Sequence, residues 1–282
     1  MTQPFEIACL QTRPMQSFDE ALSETLLMAE QAVADGAQML FLPEYCGGLC
    51  TDGPAVAPPT APEATHPYLA AMQAFARKAG VWINVGSIAV DGPDGQIVNR
   101  GFMLDDHGRI TGRYDKIHMF DIQLSDTEVY RESARVRAGD KAVIHDTPFG
   151  RIGHTICYDL RFPLLFRTLA QAGADILICP AAFTKKTGEV HWHILNRARA
   201  IETTRFVISA CAIGDVPGGG ACYGHSLVVN PWGEVLADGG DEPGVVRARI
   251  DLAQVSEAER RIPSLQSERP FHLVTDRDQD VA

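Results

Sequence analysis

One thiol in this chain stands in a setting that chemistry could use. In GRIGHTICYDLRFP, from Gly150 to Pro163, an apolar strand-like run ends on Cys157, and Tyr158, Asp159 and Arg161 follow before a helix that starts near Pro163. Strand ends are where α/β sheets carry reactive groups. A thiol attacks only when its proton can leave, and two other strand ends offer groups for that task. Glu44 follows the apolar run MLFLP, and Lys116 lies between Asp115 and Ile117 in YDKIHMFD. A carboxylate base and a nearby ammonium would activate the sulfur without histidine. A backbone NH just after Cys157 would hold an oxyanion beside Lys116. Each residue also has a plainer reading: Glu44 as a solvated loop carboxylate, Lys116 as a surface lysine beside an aspartate, Cys157 as a small core residue. The three are far apart in sequence, and spacing alone does not bring them together.

Other constellations are weaker. CGGLC, Cys46 to Cys50, lacks a second Cys or His pair at zinc-like spacing. In HWH, His191 and His193 lie on a helix with an apolar face of Val190, Ile194, Ala198 and Ile201; they point in different directions, whereas one zinc face needs i and i+4. GDVPGGG, Gly214 to Gly220, lacks the Lys-Ser or Lys-Thr of a phosphate cradle and reads as a flexible loop. No metal site is expected. Cys179, beside Pro180, and Cys211, in ISACAI, suit the core.

These groups need strands and helices to mount them. EIACLQ reads as a strand, and Phe18, Ala21, Leu22, Leu26, Ala29 and Val33 then recur at helical spacing until Gly36. QMLFLPE is a buried strand. After the Pro-rich TDGPAVAPPTAP come a helix, PYLAAMQAFARKAG, and the strand VWINVGSIAV. In the middle, DGPDGQ and DDHGR separate strand runs and predict hairpins, hence mixed sheets. The alternation resumes with DILICP, EVHWHILNRARAIETT and FVISACAI and ends in a hairpin around PWGE. No linker or repeat divides the chain, so the expectation is one α/β domain over 1–273, with sheets covered by helices, and a polar tail over 274–282.

Composition sets the outer bounds. The 282 residues are 45% hydrophobic and 22% charged, which suits a soluble globular chain with a large core. A formal net charge of −11 opposes nucleic-acid and anionic-membrane partners. MTQPFEIACLQTRP lacks the pattern of a signal peptide, and no run approaches a membrane span. The seven scattered cysteines suit reduced thiols, so the chain reads as cytoplasmic.

Taken together, LPEY, YDKIHMFD, GHTICYDLRFP, CPAAF, HWHILNRARAIE and YGHSLVVNPWGEV resemble, in order, the motifs of the nitrilase superfamily of carbon-nitrogen hydrolases, from Glu6 to about Leu273. The resemblance implies a single-domain α-β-β-α sandwich with two mixed sheets, a homodimer, and a Glu-Lys-Cys triad with no cofactor. Carried over, Glu44 is the general base, Lys116 the oxyanion stabiliser, Cys157 the nucleophile, and Glu132, in YRES, orients the lysine and substrate nitrogen. The Tyr158 NH is the second oxyanion donor, and Arg161, Phe183 and Thr184 are further candidates at the substrate. Tyr158-Asp159-Leu160-Arg161-Phe162 is similar to the Nit branch, whose substrates are small ω-amides of dicarboxylic and keto acids and deaminated glutathione. Carbamoyl or aliphatic amides are the alternative. TDGPAVAPPTAP departs from the ω-amidase pattern, which leaves substrate choice open. Arg161, Lys185, Lys186 and Arg197 are candidate cations for a substrate carboxylate. A non-catalytic scaffold or a redox-sensing thiol are the readings from other classes; the first would be expected to have lost one of the three residues, and the second explains neither Glu44 nor Lys116.

Overall fold

The computed structural model describes residues 3–126 and 128–275. In the first strand, β1 (Phe5–Gln11), both the Ile7/Cys9 face and the Ala8/Leu10 face are buried. A strand covered on both sides belongs inside a stack of layers. With β2 (Met39–Phe41), β3 (Trp82–Asp91), β4 (Ile97–Leu104), β5 (Ile110–Asp115) and β6 (Val136–Arg137) it builds a first sheet. A second sheet follows in sequence: β7 (Val143–Thr147), β8 (Gly150–His154), β9 (Ile176–Ile178), β10 (Phe206–Ser209), β11 (Leu227–Val229) and β12 (Val235–Asp238). The chain then returns to the first sheet as β13 (Gly244–Ile250), antiparallel to β1.

Both sheets are mixed, as the turn signals predict. The first has the order β6-β4-β3-β2-β1-β13, with β5 also paired to β4; β1, β2 and β3 are parallel neighbours, and β3, β4 and β5 form the expected hairpins. The second has the order β7-β8-β9-β10-β11-β12 with a parallel centre, β8 to β10.

Alternation along the strands sets the layers. Ile7, Cys9, Met39 and Phe41 of the first sheet meet Ile176, Ile178, Phe206 and Ile208 of the second in one core. Outward from the first sheet, Ala8, Leu10 and Leu40 pack under helices α1 (Phe18–Ala34) and α2 (Pro67–Ala79). Outward from the second, Leu177 and Val207 pack under α3 (Pro163–Gln171) and α4 (Lys185–Thr203). The result is the α-β-β-α sandwich. The helix punctuation follows the sequence: Ser17 caps α1, Pro67 opens α2, and Gly80 closes it at φ 66°. The last helix, α5, spans Ala253–Arg261.

Two local expectations change. β8 stops at His154, and Cys157 instead opens a 3-10 turn, Cys157–Arg161, at a left-handed φ of 49°, while its NH still donates to the Pro180 carbonyl at 2.9 Å in register with the bond from the Thr155 NH to the Ile178 carbonyl. The apolar stripe of α4 faces outward: Val190, Ile194 and Ile201 are exposed, while Trp192, Asn196, Arg199 and Ala200 face the sheet. Polar partners permit this, since Ser209 Oγ donates to Asn196 Oδ1 and Arg199 Nε donates to the Leu160 carbonyl. Most of the polar tail expected at 274–282, from 276 onward, lies outside the described residues. Among those residues no helix is long and apolar enough to cross a membrane.

Candidate active site

Glu44 lies just beyond β2, Lys116 just beyond β5, and Cys157 three residues beyond β8; the folding of the two sheets brings these ends to one cavity. The Glu44 turn is seated on a bulge in β3. A Cβ at Gly86 would collide with the Leu42 carbonyl oxygen, and the neighbouring Ser87 Oγ accepts from the Tyr45 NH at 3.0 Å.

The four side chains named from the motifs are all buried, and three of them meet directly. Lys116 Nζ donates to Glu44 Oε1 at 2.8 Å and to both oxygens of Glu132 at 3.0 and 2.8 Å. Glu44 Oε2 accepts from the Ala182 NH at 2.9 Å, which ties the first sheet's carboxylate to the second sheet's loop. Glu132, at the head of a short 3-10 turn, accepts from the Phe120 NH at 2.7 Å and from Tyr45 Oη at 3.2 Å. Burying charged side chains is costly, and the hydrogen bonds that surround these three offset that cost.

The electrostatics follow. Burial would push the Lys116 ammonium down, but Glu132 and Glu44 override it and hold its pKa well above the ordinary value. Cys157 is raised well above the usual thiol range, by burial first and then by Glu44, with Lys116 opposing. The resting sulfur is therefore a thiol, and its proton must leave during attack; Glu44 also acts on it as a hydrogen-bond acceptor. Cys157 itself is held at φ 49°, a left-handed conformation that costs about 1 kcal/mol or more for a residue with a side chain and that turns the sulfur into the cavity.

The cavity encloses about 730 Å³, its mouth included. Tyr45, Phe120, Tyr130, Tyr158 and Phe183 give it aromatic walls, and Thr184 lies at the rim before α4. Arg161 is outside the lining: its guanidinium sits 5.9 and 5.5 Å over the rings of Tyr158 and Phe183, with His191 Nδ1 3.2 Å from Nη2. Lys185, Lys186 and Arg197 do not line the cavity either; Lys186 pairs with Glu128 and Arg197 Nε donates to the Gly233 carbonyl. Among the described residues, Lys116 is the cation in the wall.

Several contributors were not singled out from sequence. Asn99 Nδ2 donates to Glu44 at 2.9 Å and to Glu132 at 3.3 Å; a buried polar residue inside the apolar alternation of β4 was its signal. The GDVPGGG segment is also part of the wall, through Val216 and Gly219 to Cys222. It is tied to the Pro-rich segment, where Thr51–Asp52 pairs with Ala55–Val56 as a hairpin: Thr51 NH reaches the Pro217 carbonyl and Thr51 Oγ1 the Gly219 carbonyl, at 2.9 and 3.0 Å. The seven cysteines are all free. Cys179 does lie beside the nucleophile candidate, its Sγ 3.7 Å from the Cys157 carbonyl oxygen, but it is fully buried and its pKa is driven up by that burial. His191 and His193 diverge as the spacing requires, toward Arg161 and Asp238 respectively.

The family profile for carbon-nitrogen hydrolases matches residues 6–260. A Synechocystis protein named deaminated glutathione amidase is 37% identical over 94% of this chain and 98% of its own length. The human protein of that name is 37% identical over 86% of this chain and 76% of its own. Human omega-amidase NIT2 is 32% identical over 94% of this chain and 95% of its own. Among solved structures, the C. elegans NitFhit protein superposes with a TM-score of 0.87 at 31% identity over 95% of this chain, which spans 66% of that longer protein. A carbon-nitrogen hydrolase from Helicobacter pylori shares the fold with a TM-score of 0.81 at 24% identity.

Proposed function

The chain belongs to the carbon-nitrogen hydrolase family, and from that premise we propose that it is an amidase that hydrolyses a small carboxylated linear amide, deaminated glutathione or a related keto-acid ω-amide, to the acid and ammonia. The observation that carries this reading is the buried contact of Glu44, Lys116 and Glu132 beside Cys157 in one cavity. Ionised groups are seldom buried together at a cavity wall for packing alone. The similarity to proteins named deaminated glutathione amidase and omega-amidase supports the substrate class.

In this mechanism Glu44 takes the Cys157 proton as the sulfur attacks the amide carbonyl. The carbonyl oxygen becomes an anion held by Lys116 Nζ and the Tyr158 NH. Glu44 returns the proton to the departing nitrogen, ammonia leaves, and a thioester remains on Cys157. Glu44 then activates the water that hydrolyses it. Glu132 is the second carboxylate that holds Lys116 in place, and its position at the cavity wall lets it face the substrate nitrogen. Tyr158, Phe183 and Thr184 bind the substrate chain, and Arg161 backs two of those walls without entering the cavity.

The chain acts as a homodimer in this reading, with a small-molecule partner and no nucleic acid or membrane. The outward stripe of Val190, Ile194 and Ile201 adjoins the Trp232 turn, because Gly233 packs against Ile201, and that apolar face suits a second copy. Seven free thiols suit the cytoplasm. The test is ammonia release from deaminated glutathione, the ω-amide of 2-oxoglutarate, succinamate, glutamine, an aliphatic nitrile and an N-carbamoyl amino acid, with Cys157→Ala as control. Turnover of a carboxylated amide that vanishes in the variant is expected; activity confined to the nitrile or the carbamoyl compound would refute the substrate class.

A further inference from the structure

Away from the catalytic cavity, two histidines and an aspartate from three separate parts of the chain meet at the surface. His193 projects from α4, His225 from the loop before β11, and Asp238 from the end of β12. His193 Nε2 lies 2.9 Å from Asp238 Oδ2 and His225 Nδ1 lies 2.8 Å from Asp238 Oδ1, so one carboxylate stands between two imidazoles. One ligand-type atom from each lies within 4.8 Å of those of the other two. All three side chains keep one side open to solvent.

The cluster is held by a rigid surround. His225 sits at φ 51°, left-handed without being glycine, and its backbone is pinned at both ends: its NH donates to the Gly240 carbonyl at 2.8 Å, and its carbonyl accepts from Trp192 Nε1 at 2.7 Å. Trp192 is the residue before His193, so the bond that fixes His225 also fixes the helix that carries its partner. The Gly240 NH in turn holds Asp238 Oδ1 at 2.9 Å, and Tyr223 stacks on the His225 ring with centroids 4.5 Å apart. Such supporting bonds orient imidazole and carboxylate ligands in metal sites. The adjacent groove is acidic on balance, with Glu189, Asp241 and Glu242 against Arg13 and Lys185.

We infer that His193, His225 and Asp238 form a binding site for one divalent transition-metal ion of the zinc class. Two imidazole nitrogens and a carboxylate oxygen are a donor set such ions take, with water completing the shell on the open side. Ligand atoms around a tetrahedral ion lie about 3.3 Å apart at the usual bond lengths; here the two short contacts run to different oxygens of Asp238 and one donor atom from each residue lies within 4.8 Å of the others, so side-chain rotation within that span closes the set on an ion. An ion there would tie α4 to the loop after Tyr223. That region reaches the catalytic cavity, because the Tyr223 NH donates to the Phe183 carbonyl at 2.8 Å and Cys222 lines its wall.

The experiment titrates the full-length Cys157→Ala protein with Co2+ and then displaces it with Zn2+, which keeps the reactive thiol out of the readout. The result expected is one equivalent of Co2+ with visible d–d bands and no near-ultraviolet thiolate charge-transfer band, displaced by Zn2+. His193→Gln, His225→Gln and Asp238→Asn should each weaken binding by at least about tenfold. His193→Gln carries the test by itself if the other two fail to fold, since the His193 side chain is partly exposed and its helix is held to the sheet by Trp192, Asn196 and Arg199. No binding, a thiolate band, or an affinity unchanged by His193→Gln would overturn the inference.

Discussion

Lys116 Nζ reaches both carboxylate oxygens of Glu132, at 3.0 and 2.8 Å, with both side chains almost wholly removed from solvent. A third charge, Glu44, shares the same ammonium at 2.8 Å. Two carboxylates around one cation explain the strongly held Lys116 proton, and Glu44 adds to the burial that raises Cys157.

Removing the cation should therefore hurt stability as well as rate. Lys116→Met leaves two buried carboxylates facing each other, and a loss of about 3–5 kcal/mol is expected in urea unfolding. With the oxyanion donor of the proposed mechanism gone, kcat should fall by about 10²–10³. A variant that unfolds at the wild-type urea midpoint would contradict the buried-charge account.

The state of the thiol gives a second prediction. Since burial and Glu44 raise Cys157, the wild-type minus Cys157→Ala ultraviolet difference should show no thiolate absorbance from pH about 6 to about 8. A thiolate signal at neutral pH would mean a resting ion pair in place of proton removal during attack.

Asp159 gives a third. It is fully buried and joins the lysine's segment to the cysteine's: Oδ2 accepts from Tyr114 Oη at 2.7 Å and from the Ile156 NH at 2.8 Å, and Oδ1 from the His118 NH at 3.1 Å, with His118 Nδ1 2.6 Å away. Asp159→Ala should cost about 3 kcal/mol or more, because several buried donors lose their acceptor. Turnover should fall while the remaining protein still folds at low denaturant, as read by circular dichroism and ammonia release on the same samples. Unchanged stability would show that this clasp does not hold the two loops together.

Acid should weaken the fold through a different pair. His145 Nε2 and His154 Nδ1 lie 3.0 Å apart in the interior. Burial lowers His145 to about 4, and burial with His145 nearby lowers His154 well below its usual value. Their folded pKa values lie below the unfolded value, so the unfolded chain takes up more protons as pH falls. Stability is full above about pH 6.5 and is lost as pH drops toward about 4, with His145 alone contributing about 2 kcal/mol of loss by pH about 5. Urea midpoints measured across this range should fall less steeply in His145→Gln. Parallel curves would assign the acid sensitivity to other groups.

The sheet layers were legible because β1, β2 and β9 are apolar on both faces and the turns DGPDGQ and DDHGR stand between strands of one sheet. Glu44, Lys116 and Cys157 were legible as strand-end residues, and the ordered motifs pointed to their meeting. What periodicity could not show was long-range pairing. Asn99 looks like any polar residue in a strand until its amide is found between two carboxylates. The glycine-rich segment reads as a free loop until Thr51 is seen to hold it, and the His193 cluster needs β12 to bring Asp238 beside α4. The apolar stripe of α4 misled for a physical reason: hydrophobic spacing marks an apolar face of the helix, but buried polar partners such as Asn196 and Arg199 turned the opposite face to the sheet.

The most direct measurement is rapid acid quench of the wild-type protein during turnover of deaminated glutathione or a keto-acid ω-amide, with intact and peptide mass spectrometry. The account predicts a mass gain equal to the acyl group, mapped to Cys157, together with ammonia release that disappears in Cys157→Ala. Sustained ammonia release by Cys157→Ala, or an acyl group mapped to another residue, would contradict it.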